Sequence, residues 1–148
     1  MGIELPVARS VEPSSAEVAG SVQLDYAARL LRRKRLVTVE GWDFLVDLPK
    51  AMSVDHGDAF ILEDGRFVAV VASEEAVLEV RGDLPRLAWH IGNRHAPCEI
   101  GSDALIVQDE AVMRDMLARL GAKLRPFSAA FTPEGGAYGH GRVAGHSH

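Results

Sequence analysis

One cysteine, Cys98, occurs among 148 residues, so no disulfide framework can form within a chain. A reducing cytoplasm is the default expectation. No apolar run approaches the ~18 residues of a membrane span. The opening MGIELPVARSVEPSS has no basic stretch leading into an apolar one, so no secretory signal is expected. Positive charge is in deficit, with a net charge of −5. General binding to nucleic acid or anionic membrane would need a basic face. Catalytic signatures are also missing: no His-Glu-X-X-His, Gly-X-Ser-X-Gly or phosphate-cradling Gly-Lys-Ser/Thr occurs. Cys98 follows His95 with Pro97 between, and nothing nearby points to an oxyanion hole. It reads as a small buried hydrophobe, and no enzyme is expected. No internal repeat is found.

What is present is ordinary globular composition, 47% hydrophobic and 25% charged. Residues 1–20 contain Pro6, Pro13, Ser14, Ser15 and Gly20 with weak periodicity, and read as a loosely tied arm. Five basic residues fall among the last seven of Asp25–Arg35. They read as a solvated face or strand entry, with a docking patch for an acidic partner as the alternative. Leu36–Ala72 carries short β-branched and aromatic runs: Leu36-Val-Thr-Val39, Phe44-Leu-Val-Asp-Leu48, Ala59-Phe-Ile-Leu62 and Phe67-Val-Ala-Val-Val-Ala72. Asp64-Gly65 between the last two predicts a hairpin. Four or five such strands suggest a small sandwich or barrel-like module.

The pattern changes near Ser73. Val77–Val80 reads as a strand. Asp83 is a candidate N-cap and Pro85 suits the first helical turn. Leu84, Leu87, Ala88, Ile91 and His95 form one helical stripe. Cys98–Ile100 and Ala104–Val107 read as extended. Asp109 is a candidate cap for a second helix through Leu120, ended by Gly121, and Lys123–Phe131 returns as a strand. That order predicts a split βαβ, ferredoxin-like unit. The expected fold class is α+β: a β-rich domain over 1–73, a ferredoxin-like βαββαβ domain over 74–134 and a flexible Gly/His tail over 135–148.

Five of the six histidines lie at or beyond position 90. The exception, His56, reads as a turn residue. His90 and His95 lie ~140° apart on a helix and cannot easily share an ion from one chain. On position alone His95 is an ordinary hydrogen-bonded core histidine. The tail alters that weighting, because His140, His146 and His148 lie in a glycine-rich segment where folding does not explain them. Such tracts bind metals as a matter of composition. Together with His95 they point to capture of an intermediate metal ion such as Ni, Cu, Zn or Co. A second reading is a β-domain adaptor whose histidines are incidental.

At Trp89-His-Ile-Gly-Asn-Arg-His-Ala-Pro97 the sequence resembles the UreE family of nickel metallochaperones, urease accessory proteins whose signature is Gly92-Asn93-Arg94-His95. The likeness continues through Asp115-Met-Leu-Ala-Arg-Leu-Gly121, Pro126-Phe127 and Phe131-Thr-Pro-Glu-Gly-Gly-Ala-Tyr-Gly139, and more loosely through Arg33-Lys-Arg-Leu36. The resemblance implies delivery of Ni(II) to the urease maturation complex by a non-enzymatic cytoplasmic homodimer, with tetramer formation on metal binding as an alternative assembly. His95 then corresponds to an interfacial ligand given by both subunits, and His140, His146 and His148 to tail ligands. Zn(II) or Cu(II) suit the same donors. The implied partners are the urease accessory GTPase and the urease apoprotein complex, with neither nucleic acid nor membrane. A two-fold axis near His95 would supply a second imidazole, and part of the apolar stripe could line that contact.

Overall fold

The computed structural model describes residues 4–14 and 16–135. The chain forms two compact units that meet in sequence between Ala72 and Ser73. The class is mixed α+β. The glycine-rich tail, with His140, His146 and His148, lies outside the described residues.

The first unit is a six-stranded half-barrel. Its strands are β1 (Val7–Pro13), β2 (Gly20–Leu24), β3 (Leu30–Val37), β4 (Asp43–Ser53), β5 (Asp58–Leu62) and β6 (Phe67–Ala72). They lie in the order β2-β6-β5-β1-β4-β3. Alternating residues of β4 and β6 turn Phe44, Val46, Leu48, Val68 and Val70 into one core, where Phe44 and Phe60 stack at a tilt with ring centroids 5.8 Å apart. The Glu63–Arg66 turn closes the β5–β6 hairpin as its Asp-Gly pair predicts. Gly65 takes φ +90°, and the Arg66 amide donates to Asp64 Oδ1 at 3.0 Å.

One expectation fails in this unit. The N-terminal arm is a strand: β1 lies inside the sheet, antiparallel to β5 and parallel to β4. A bulge between Ala8 and Ser10 breaks its alternation. Ala8 is its only fully buried side chain, so its backbone bonds carry the structure and its side chains hide it. Of the basic run, Arg29 is buried in the turn before β3 and donates to the Leu24 carbonyl at 3.1 Å; the other four basic residues lie exposed on β3, an edge strand, as the solvated-face reading expects. There Arg33 reaches Asp47 at 3.4 Å and Arg35 reaches Asp43 at 2.6 Å, all on the solvated side. Basic side chains on an edge also discourage pairing with another sheet.

The second unit has the element order β7 (Glu74–Arg81), α1 (Leu84–Asn93), β8 (Glu99–Ile100), β9 (Leu105–Gln108), α2 (Ala111–Arg119) and β10 (Lys123–Ala130). Its sheet runs β10-β7-β9-β8, every neighbouring pair antiparallel. Leu87 and Ile91 of α1 and Met113 and Leu117 of α2 pack on Leu78, Val80, Leu105 and Val107. Asp83 caps α1 through the Arg86 amide, with Pro85 at the start. The N-cap of α2 is Glu110 rather than Asp109. Asp109 is otherwise engaged: both its oxygens accept from Arg114, at 2.9 and 2.7 Å. That ion pair holds its carboxyl below the usual range. Glu79, in the middle of β7, accepts from Arg125 and Arg81, which hold its carboxyl at about 2. Among the described residues no helix is long and apolar enough to cross a membrane.

Candidate metal centre

The two helices of the second unit end in the same way. At the end of α2 the Gly121 amide donates to the Ala118 carbonyl and the Ala122 amide to the Leu117 carbonyl, each at 3.0 Å, with Gly121 at φ +82°. This is a Schellman cap, and its left-handed position ordinarily takes glycine. At the end of α1 the His95 amide donates to Gly92 at 2.9 Å and the Ala96 amide to Ile91 at 3.3 Å. The bond pattern is the same, but the left-handed residue is His95, at φ +58°. Among the described residues it is the only non-glycine with positive φ. An L-residue there costs roughly 1–2 kcal/mol, so the chain accepts strain to place an imidazole where glycine would serve the fold.

That conformation overturns the stripe assignment for His95. Leu87 and Ile91 point into the core at 1% and 0% exposure, while His95 is swung out of the helical path and exposed. It is not a core histidine. The buried part of the stripe also cannot line a subunit contact, because it is spent on the unit's own core. The large apolar side chains left exposed here are Trp89, Ile100 and Val112. His90 is half-buried and sits edge-on to Trp89, centroids 5.0 Å apart.

Pro97 follows the cap and leads into β8. Cys98 is half-buried, and burial, with Glu99 and Glu134 nearby, pushes its thiol up to about 11. A thiol so protonated is a poor nucleophile at neutral pH.

The chain beyond β10 also comes to this place. Phe131 is fully buried. Both the amide and the hydroxyl of Thr132 donate to Glu99 Oε1, at 3.0 and 3.1 Å. The Glu134 amide donates to the Cys98 carbonyl at 2.8 Å. Sequence reading missed this strap, because nothing in Thr132-Pro-Glu134 marks a partner at the opposite edge of the sheet.

Among the described residues no three His, Cys, Asp or Glu side chains converge as a metal cluster. One chain therefore offers, within that range, a single projecting imidazole at this cap. His56 serves elsewhere: its Nδ1 accepts from the Ala72 amide at 3.1 Å, pinning the last residue of β6.

Sequence comparison gives the class. The chain is 52% identical over 149 residues to the urease accessory protein UreE of Ruegeria pomeroyi, covering 99% of this chain and all of that one. It is 57% identical over 131 residues to UreE of Paracoccus denitrificans, covering 88% and 82%. With UreE of Rhodobacter capsulatus it shares 53% over 130 residues, covering 88% and 83%. The class is thus that of the urease accessory proteins. Residues 5–73 match the N-terminal domain of the UreE urease accessory protein family and residues 75–148 its C-terminal domain. The chain belongs to the UreE family.

Proposed function

We propose that this chain is a metallochaperone that binds Ni(II) and passes it to the urease maturation complex. The observation that carries the reading is His95 in the left-handed cap position, where the sister helix uses Gly121. An exposed neutral imidazole suits Ni(II), and also Zn(II) and Cu(II). One such ligand is too few for a four- or six-coordinate ion. A two-fold homodimer would bring two copies to one axis, because isologous contacts double every residue near it. Exposed Trp89 and Ile100 offer apolar surface for such a contact. His140, His146 and His148 would complete the shell. A shell closed by tail residues that must be ordered on binding keeps affinity moderate and release feasible.

In this reading residues 74–134 form a ferredoxin-like metal-binding and dimerising domain, and the observed strand order and directions support it. Residues 1–73 form a partner-binding domain, and 135–148 a Gly/His tail. The setting is the cytoplasm, and the partners are the accessory GTPase and the urease apoprotein complex.

Nickel titration of the parent chain and of His95→Ala tests the proposal. The parent should bind one tight ion per two chains and the variant none. A His95→Ala chain with the parent's stoichiometry and affinity would end it.

A further inference from the structure

We infer that a pocket in the first unit docks an acidic linear segment of a partner protein: an apolar side chain of that segment seats against Trp42, and its carboxylates meet Arg66 and the cations of β3. This rests on the reading of residues 1–73 as a partner-binding domain and adds to it the chemistry the partner presents.

Stretches far apart in sequence build the pocket, which measures about 760 Å³. The run into β1 gives Glu4, Leu5 and Pro6, the β3–β4 hairpin gives Arg35, Trp42 and Asp43, and the β5–β6 turn gives Arg66. Ligand pockets span roughly 300–1,000 Å³. The apolar wall is firmly held. Trp42 is half-buried, packs on the core and lies 5.9 Å from the Phe44 ring. Its amide donates to Thr38 Oγ1 at 3.1 Å, and the Pro6 carbonyl accepts from the Leu45 amide at 2.8 Å. Gly20 admits the indole, since a Cβ there would stand 3.1 Å from Trp42 Cζ2. The Arg66 guanidinium lies over the indole, 5.0 Å from its centroid. A nucleobase would have to displace it to stack on that face.

Charge chooses what enters. Arg35 and Arg66 each hold one carboxylate through Nε and Nη2, Asp43 at 2.6 Å and Asp64 at 2.9 Å. Their Nη1 donors remain for a further acceptor. Arg32 and Lys34 are exposed on β3 and pair with no carboxylate among the described residues. Asp43 is spent on Arg35, which leaves Glu4 as the opposing charge at the pocket. In a chain of net charge −5 this strip is locally basic. β3 is also an edge strand, so alternate residues turn their N–H and C=O away from β4. Cations on such an edge repel a basic strand or a second β3, yet admit an acidic segment. Val37, opposite Asp43 in register and 60% exposed, extends the apolar surface.

The test is titration of the metal-free chain with a labelled peptide of alternating Glu and Leu, read by fluorescence anisotropy at low salt. Two control peptides replace Glu by Lys, or Leu by Ser. The parent should bind the Glu/Leu peptide and bind both controls far more weakly. Arg66→Gln removes one exposed cation and should weaken binding about two- to five-fold. Lys34→Glu, at a side chain with no contact to lose, reverses a charge and should weaken it at least as much. Glu4→Gln removes the opposing charge and should tighten binding about two-fold. The chain has two tryptophans, so its indole N–H signals report position. The Trp42 signal should move with the Glu/Leu peptide and the Trp89 signal stay, with Trp89→Phe assigning the pair.

Equal binding of the Lys/Leu peptide would reduce the pocket to apolar stickiness, and equal binding of the Glu/Ser peptide to a patch for any polyanion; either overturns the inference. So does a shift confined to Trp89, unchanged affinity in Lys34→Glu, weakening in Glu4→Gln, or no binding by any peptide. An oligonucleotide that outbinds the Glu/Leu peptide and moves Trp42 would give the pocket to nucleic acid and overturn it as well. Failure of the wider partner-binding reading is distinguishable. It would appear as no co-elution of the parent chain with purified urease maturation proteins, whatever the peptide does. Co-elution left intact by Lys34→Glu and Arg66→Gln together would sink the present inference alone.

Discussion

His95→Gly should stabilise the protein while abolishing the nickel binding proposed for His95. His95 occupies the left-handed position of a Schellman cap at φ +58°. A non-glycine residue there costs roughly 1–2 kcal/mol. Glycine removes that strain but gives back about 0.5–1 kcal/mol through its greater freedom in the unfolded chain. The net gain is about 0.5–1 kcal/mol, or roughly 2–8 °C in the melting temperature of a domain this small. Differential scanning calorimetry of the metal-free protein reads the gain, and nickel titration of the same sample reads the loss. Gly121→Ala is the mirror experiment. At φ +82° with open space around a Cβ, alanine should destabilise by about 1–2 kcal/mol through backbone strain alone. A His95→Gly chain less stable than the parent would show that the imidazole supports the fold, and the argument for strain kept in the service of function would collapse.

Other expectations follow from single sites. Imidazole coordinates only when neutral, and its reference pKa is ~6.5, so nickel affinity should fall between pH 7.5 and 5.5; equal affinities by calorimetry would exclude imidazole-dominated binding. The Glu79 carboxyl is held from its usual 4.5 down to about 2 by Arg125 and Arg81. Its contribution is therefore present above about pH 4.5 and lost as pH falls toward 2. Carbon-detected NMR should find that midpoint, rising in 1 M salt as the exposed pairs are screened; a midpoint above 4 in low salt would contradict the ion-pair geometry. Cys98, with its thiol pushed up to about 11, should react with a disulfide reagent at pH 7.5 far more slowly than free cysteine, and Cys98→Ser should keep nickel affinity. His56→Ala removes the acceptor for the Ala72 amide and should cost about 1 kcal/mol in chemical denaturation; no change would mean water replaces the bond freely.

The parts of the fold that could be read from sequence were those where side chains repeat. The β5–β6 hairpin announced itself through Asp64-Gly65, α1 through Asp83, Pro85 and its buried Leu87 and Ile91, and the end of α2 through Gly121. β1 was illegible because a bulge and one buried alanine leave no period to detect. Asp109 misled by one residue, since its carboxylate serves Arg114 instead of a helix end. The site was half legible. Sequence spacing placed His95 at a helix terminus, but extending the stripe by one more turn put it on the apolar side. Only backbone geometry shows it flipped outward. The signal was available in principle: α2 ends at Leu120-Gly121, and Arg94-His95 fills the equivalent place after α1. The Glu99–Thr132 hook had no sequence signal, because contacts between residues 33 positions apart leave no local pattern.

The central claim is that two chains share one nickel ion through His95. Native mass spectrometry of the protein with limiting Ni(II) addresses it most directly. The account predicts a dimer carrying one ion, and no tightly bound ion in His95→Ala. One ion on each chain, persisting in His95→Ala, would contradict it.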